Sequence, residues 1–511
     1  MVISCTSFGI HGIDGYKVEV ETASHNGMPQ MDLVGLPDTS VKESRERVKS
    51  AMKNSGFSLM AAHFVTNLAP ADIKKEGPIY DLPITVTLLA LNGFIRRPFD
   101  DAGFIGELSL SGDLRRINGA LPMTIKAREL GLKRIFVPFA NANEAAVVDG
   151  IEVYAVQNIA QLVAALNDDI GLEPVMPENA ERHRVPDFQP DFSQVKGQYE
   201  AKRALEIAAA GGHNILLIGP PGSGKSMLAK RLPSILPDMT FDEMIESTKI
   251  HSIAGKLRGD GLIRQRPFRA PHHGVTPVGL GGGGTGSIKP GEVSLAHHGV
   301  LFLDELPEFS RTALEVLRQP IENGEITISR AGMTCTYPCS IMVVAAMNPC
   351  PCGYFGDDTH RCTCTEQSIR RYLGRISGPL LDRFDIHVEV PPVKFDELRG
   401  DERGEPSAEI RERVNSARER QRLRFEGSSA TCNAKINPEQ FERFCLIDSE
   451  AEETLREAFE HLGMTARAYD RVLKVARTIA DLDDSEIIRA RHVLEAVQYR
   501  SLDRKYWARN V

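Results

Sequence analysis

The run Asn214-Ile-Leu-Leu-Ile-Gly-Pro-Pro-Gly-Ser-Gly-Lys-Ser226 constrains this chain more than any other stretch, because an apolar strand feeds straight into a glycine-rich loop ending in Gly224-Lys225-Ser226. Glycines at 219, 222 and 224 let the backbone turn its N–H groups inward around phosphate oxygens. Gly219, Pro220, Pro221, Gly222, Ser223, Gly224, Lys225, Ser226 and Met227 therefore read as a cradle for nucleotide phosphates. Lys225 reaches the β- and γ-phosphates and the Ser226 hydroxyl reaches Mg²⁺. Strand, loop and helix in this order call for a parallel α/β sheet that binds its ligand at the carboxyl ends of its strands.

A second apolar run, Gly299-Val-Leu-Phe-Leu-Asp-Glu305, reads as a buried parallel strand that delivers two carboxylates to the same edge. Asp304 is placed to hold the Mg²⁺ shell and Glu305 to polarise an attacking water, so the pair turns phosphate binding into ATP hydrolysis. The strand Ser340-Ile-Met-Val-Val-Ala-Ala-Met-Asn348 brings the Asn348 carboxamide toward the γ-phosphate or the lytic water; an ordinary turn residue is the alternative. Arg383, in Ser377-Gly-Pro-Leu-Leu-Asp-Arg-Phe-Asp385, is expected to face outward, where a planar cation suits the γ-phosphate of a neighbouring subunit. A surface salt bridge to Asp382 or Asp385 is the competing use. Thr465 is expected to cap a helix that carries Arg467 toward the phosphates, with Arg471 one turn on as the competing cation.

With 511 residues and 42% hydrophobic content, the chain has material for several cores. No apolar stretch approaches the roughly 20 residues that span a bilayer and no basic-then-apolar leader is present, so the expectation is a cytoplasmic protein without membrane contact. The expected organisation is multidomain α/β: an α+β domain over 1–172, a proline-rich charged linker over 173–194, a nucleotide-binding α/β core over 195–393, and a helical linker and helical bundle over 394–511.

Cys350, Cys352, Cys362 and Cys364 form two Cys-x-Cys hooks, a spacing that suits tetrahedral Zn²⁺ in a structural role, with His360 able to replace one thiolate. Disulfides or free thiols are the alternatives. The formal charge of -8 provides no global basic field, so any contact with a polyanion must be local. Lys256, Arg258, Arg264, Arg266 and Arg269 gather in one segment, facing only Asp260, ahead of the glycine run Gly279 to Gly286. The segment Glu322 to Pro338 alternates like a β-hairpin whose turn lies near Arg330 to Met333.

The motifs GPPGSGKS, VLFLDE, AAMN, SGPLLDRFD and TARAYDR together resemble the AAA+ ATPases of the magnesium-chelatase-like branch, of ComM/YifB type, over almost the whole chain. The resemblance implies a P-loop AAA+ core with a C-terminal α-helical lid. It makes Lys225 and Ser226 the Walker A pair, Asp304 and Glu305 Walker B, Asn348 sensor 1, Arg383 a finger acting in trans and Arg467 sensor 2. It further implies a homohexameric ring using ATP and Mg²⁺ as a DNA helicase or translocase, promoting branch migration in homologous recombination during natural transformation. In such rings the two insertions project into the central channel, which makes Lys256, Arg258, Arg264, Arg266, Arg269 and Arg330 candidate contacts to branched or single-stranded DNA. The N-terminal domain resembles a Lon-protease-like module, but Ile79 stands where that pattern has its nucleophilic serine, so a noncatalytic scaffold or DNA guide is expected. A chelatase-type motor that remodels a protein partner for metal insertion, and a regulatory ATPase without translocation, are the alternatives.

Overall fold

Alternation of apolar and polar residues sets the first sheet. In the computed structural model, which describes residues 1–176, 190–257, 261–284, 288–330, 333–357, 360–393, 404–428 and 430–507, strand β2 (Asp14–His25) buries Val18, Val20 and Thr22 and turns Lys17, Glu19 and Glu21 away. It lies between β1 (Val2–His11) and β4 (His63–Ala69) in a mixed sheet that β3 (Gln30–Val34), β5 (Ala102–Phe104), β6 (Arg134–Pro138) and β7 (Glu152–Val156) complete, in the order β3-β4-β2-β1-β5-β6-β7. Helices α1 (Thr39–Asn54), α2 (Asp81–Leu91), α3 (Ala120–Glu129) and α4 (Ile159–Leu166) accompany these strands. Helix α2 is almost wholly buried and mostly apolar, and its buried Asp81, Thr85 and Thr87 are hydrogen-bonded to Arg47 and to backbone carbonyls. Ile79 is buried in the same core. The expected linker falls largely outside the described residues, including Pro177 and Pro186.

After helix α5 (Tyr199–Gly211) comes the nucleotide-binding sheet. Its strands are β8 (Ile215–Ile218), β9 (Phe268–Arg269), β10 (Val300–Leu303), β13 (Met342–Met347) and β14 (Ile386–Glu389), in the order β9-β10-β13-β8-β14, and every neighbour pair is parallel. Strands β8, β10 and β13 are buried at every position, which explains their uninterrupted apolar sequences. Helices α6 (Lys225–Arg231) and α7 (Phe241–Ile253) follow β8 in the chain. The hairpin expected from alternation is present: β11 (Glu325–Arg330) pairs antiparallel with β12 (Met333–Pro338), with Arg330 opposite Met333.

Four longer helices follow: α8 (Ser407–Arg424), α9 (Ser449–Leu462), α10 (Ala466–Leu482) and α11 (Ala490–Gln498). Helix α8 buries Ile410, Val414, Ala417 and Gln421, one stripe of an otherwise charged helix. Thr465 caps α10 through the Ala468 N–H, as its sequence position suggested. Val472, Val475, Ala476 and Ile479 of α10 share one hydrophobic cluster with Ile215, Val344 and Ile386 of the sheet. No helix among the described residues is long and apolar enough to cross a membrane.

Buried polar groups fasten the bundle to itself and to the sheet. Asp481 accepts from Arg424 at 2.8 Å, from Asn433 at 2.8 Å and from Arg477 at 3.2 Å. His213, just before β8, reaches Asp385 at 3.2 Å and Thr478 of α10 at 2.7 Å. Breaking a buried ion pair by removing one partner strands the other charge, which costs about 3–5 kcal/mol. Asp481→Ala is therefore expected to lose about that much in urea unfolding followed by helical circular dichroism; a loss below about 1 kcal/mol would contradict this role.

Candidate nucleotide site

Strand β8 ends at Ile218 and the loop after it turns through Gly222 (φ 76°) and Gly224 (φ 92°), backbone angles that glycine adopts without strain. Gly219 is packed so closely against the end of β14 that a Cβ there would lie 2.2 Å from the Val390 carbonyl oxygen. The Lys225 ammonium lies folded into this loop, donating to the carbonyls of Gly219 and Pro220 at 2.8 Å each and to Asn348 Oδ1 at 3.2 Å. Burial lowers its pKa to about 8, against the opposing pull of the Asp304 carboxylate. A desolvated cation held only by neutral oxygens is poised to exchange them for phosphate oxygens.

Parallel pairing of β10 with β13, and of β13 with β8, brings the second apolar run to the same edge. Ser226 Oγ donates to Asp304 Oδ2 at 2.6 Å. A hydroxyl and a carboxylate in contact beside a lysine are a hard oxygen donor set that fits Mg²⁺ carrying a polyphosphate. Glu305 adopts a left-handed backbone conformation (φ 54°, ψ 48°), uncommon for a residue with a side chain, and its carboxylate is 60% exposed above the loop. His273 Nδ1 lies 3.2 Å from Glu305 Oε2. Nothing in the local sequence around His273 signals a partner 32 positions further on.

The arginines divide. Arg383 does not face outward as expected: its side chain is 11% exposed and pairs with Glu322 while donating to the Pro379 carbonyl. Neither anticipated partner takes it, because Asp385 is engaged by His213 and lies 3.5 Å from Arg471, while Asp382 lies 3.6 Å from Arg467. Burial pushes the Asp385 carboxyl up, and the hydrogen bond from His213 with the nearby cations outweighs it, holding the group below the usual carboxylate range. Arg467 is 71% exposed and able to swing, whereas Arg471 is 14% exposed and committed to Asp385.

The basic segment also divides, and the expectation that it faces only Asp260 is corrected by long-range pairing. Arg266 donates to Glu243 and to the carbonyls of Pro237, Asp238 and His298. Arg269 makes a two-point pair with Glu292, which also takes Lys256 at 3.2 Å. Arg264 is half-buried, and Arg258 and Asp260 lie outside the described residues. Arg330 is exposed at the end of the hairpin, beside a two-residue strand pair in which Gly283 faces Lys289, itself exposed. Lys289 is a cation the sequence reading passed over, since a lone lysine after a glycine run carries no local signal.

Among the described residues, two clusters of side chains able to ligate a metal lie outside the phosphate loop itself. The sulfurs of Cys350, Cys352, Cys362 and Cys364 lie within 4.8 Å of one another. His360 is not among them; its ring stacks on Tyr354 with centroids 4.9 Å apart, so the idea that it replaces a thiolate is corrected. Glu246, His297 and His298 form the second cluster. There the Ser340 N–H donates to His297 Nδ1, which places the ring proton on Nε2, facing Glu246 at 3.1 Å. That nitrogen has no lone pair for a metal, and the cluster serves as a hydrogen-bonded brace beneath β10.

Comparison with known proteins agrees along the length of the chain. The family described as "Magnesium chelatase, subunit ChlI" matches residues 191–398, "Subunit ChlI of Mg-chelatase" matches 18–141, and "Magnesium chelatase, subunit ChlI C-terminal" matches 404–500. The chain is 44% identical to YifB of Escherichia coli over 495 residues, covering 96% of each chain. It is 43% identical to competence protein ComM of Haemophilus influenzae over 502 residues, again 96% of each. It is 26% identical to magnesium-chelatase subunit ChlI of Synechocystis over 236 residues, 41% of this chain and 58% of that one.

Lys225→Ala removes the only ammonium among the cradle residues. It is expected to weaken ATP binding by about 2–3 kcal/mol in equilibrium titration with a fluorescent ATP analogue, while circular dichroism stays unchanged. Unaltered affinity would contradict the site.

Proposed function

We propose, from the premise that this chain belongs to the magnesium-chelatase ChlI family, that it is a ring-forming ATPase that drives DNA through its assembly during recombination. The contact between Ser226 and Asp304 at the carboxyl edge of a parallel sheet, 2.6 Å long and flanked by Lys225, carries the ATPase half of this reading. Bound ATP with Mg²⁺ supplies the phosphoanhydride bond and the neutralising charge. Lys225 would exchange its loop carbonyls for phosphate oxygens, and Ser226 and Asp304 would hold the Mg²⁺. Glu305 takes a proton from the attacking water, aimed by His273, and the Asn348 carboxamide orients that water.

A six-membered ring supplies the missing cation in trans. For that, Arg383 leaves Glu322 for the phosphate of the adjacent protomer, which makes finger engagement a switch between two ion pairs. Arg467, exposed at the start of α10, contacts phosphate within its own chain. On the DNA side, Arg330 and Lys289 lie on adjoining β segments and are exposed cations available for a phosphate backbone. The relative named for competence, alike over 96% of both chains, supports a role in processing DNA during natural transformation, with migration of branched junctions as the specific act. A chelatase-type motor acting on a protein partner is favoured instead by the family description and by the chelatase subunit match over 41% of the chain.

DNA dependence separates the two. Steady-state ATPase activity is expected to rise on adding single-stranded or four-way-junction DNA, and the purified protein with ATP is expected to migrate a synthetic junction; indifference to every DNA form would remove the DNA reading. Arg330→Ala is expected to weaken DNA binding and to reduce the salt dependence of log K by about one unit while leaving DNA-free turnover intact. Mixing Arg383→Ala with Lys225→Ala subunits is expected to restore part of the turnover that each lacks alone, and no recovery would count against action in trans.

A further inference from the structure

We propose that Cys350, Cys352, Cys362 and Cys364 hold one zinc ion, and that the knuckle so closed braces the phosphate loop through Gly353 and Pro221. The sulfurs of Cys350 and Cys352 are 3.3 Å apart, those of Cys350 and Cys362 3.7 Å, and those of Cys352 and Cys362 3.6 Å. A disulfide needs about 2.05 Å, whereas a tetrahedron of sulfurs with metal bonds of about 2.3 Å has edges near 3.8 Å. The spacing matches the second, and all four cysteines are free.

The surrounding backbone is arranged for thiolates. The Cys352 N–H points at Cys364 Sγ at 3.4 Å, and backbone groups of Tyr354 and Thr363 hydrogen-bond to the Cys352 sulfur. Gly353, between the hooks, has φ 89°, which allows the tight return. With His360 stacked on Tyr354, the donor set is all sulfur, which selects zinc over Mg²⁺ or Ca²⁺. Four protein ligands leave no open position, so the ion is structural.

The knuckle lies where bracing matters. Cys350 comes two residues after Asn348, whose Oδ1 accepts from Lys225. Gly353 is pressed so closely against the phosphate loop that a Cβ there would lie 2.3 Å from Pro221 Cδ. On its other side, the Phe355 ring lies 6.2 Å from that of Tyr506 near the end of the described chain. The short, glycine-containing segment has little apolar content with which to hold this shape unaided, and metal coordination does so.

The metal half stands independently of the nucleotide reading; the bracing half rests on it. Full-length protein purified without added metal is expected to contain one zinc per chain by elemental analysis, released stoichiometrically when an organomercurial titrates the thiols. Cys364→Ser is expected to lose that zinc. Gly353→Ala keeps all four sulfurs and is expected to retain zinc while binding a fluorescent ATP analogue about tenfold more weakly. Protein that contains iron instead, or contains no zinc and takes none up after chelation and re-addition, overturns the metal assignment. Zinc-loaded Gly353→Ala that binds ATP as tightly as the parent overturns the brace, as does a zinc-loaded parent that binds no ATP, which also contradicts the nucleotide reading.

Discussion

The parallel pairing of one buried strand, Ile215–Ile218, with Met342–Met347 on one side and Ile386–Glu389 on the other is the constraint from which the site follows. Because all five strands of that sheet run the same way, every strand end opens onto one edge. Lys225 therefore reaches Asn348 across 123 positions, and Ser226 reaches Asp304 across 78. A one-residue slip of Val300–Leu303 against Met342–Met347 would turn alternate side chains to the opposite face and shift Asp304 from Ser226. The unbroken apolar character of these strands fixes their depth, since both faces are covered.

Around that edge, the same carboxylates that hold the fold also restrain the chemistry. Glu322 keeps Arg383 in its own chain, Asp385 ties the strand before the phosphate loop to Arg471 of the helical bundle, and Glu292 and Glu243 occupy Arg269 and Arg266. The N-terminal domain is joined to this frame through buried Glu144, which accepts from Ser252 at the end of α7, and through Arg116, which donates to the Leu257 carbonyl at 2.8 Å. Helix α7 follows the phosphate loop and its helix in the chain, so the N-terminal domain is fastened to an element close in sequence to that loop.

What could be read from the sequence were features encoded within short, continuous stretches of chain. The glycine loop, the apolar strand with its two carboxylates, the hairpin around Arg330, the cysteine hooks and the Thr465 cap are local patterns, and the structure contains each. Illegible were the pairings formed between distant segments. Arg383 with Glu322 spans 61 positions, and Arg266 with Glu243 and Arg269 with Glu292 each span 23. A basic run read in isolation looked available for a polyanion, and the fold spends two of its arginines on internal carboxylates. His273 and Lys289 went unrecognised for the same reason: their significance comes from neighbours that only tertiary structure supplies.

The account turns on where the nucleotide binds, and a structure of the Glu305→Gln chain with ATP and Mg²⁺ by electron cryomicroscopy tests this most directly. The predicted result is a closed ring in which phosphate oxygens have replaced the Gly219 and Pro220 carbonyls around Lys225, Ser226 and Asp304 hold the metal, and Arg383 of the adjacent protomer has left Glu322. A monomer, or nucleotide bound away from the carboxyl edge of the parallel sheet, would contradict it.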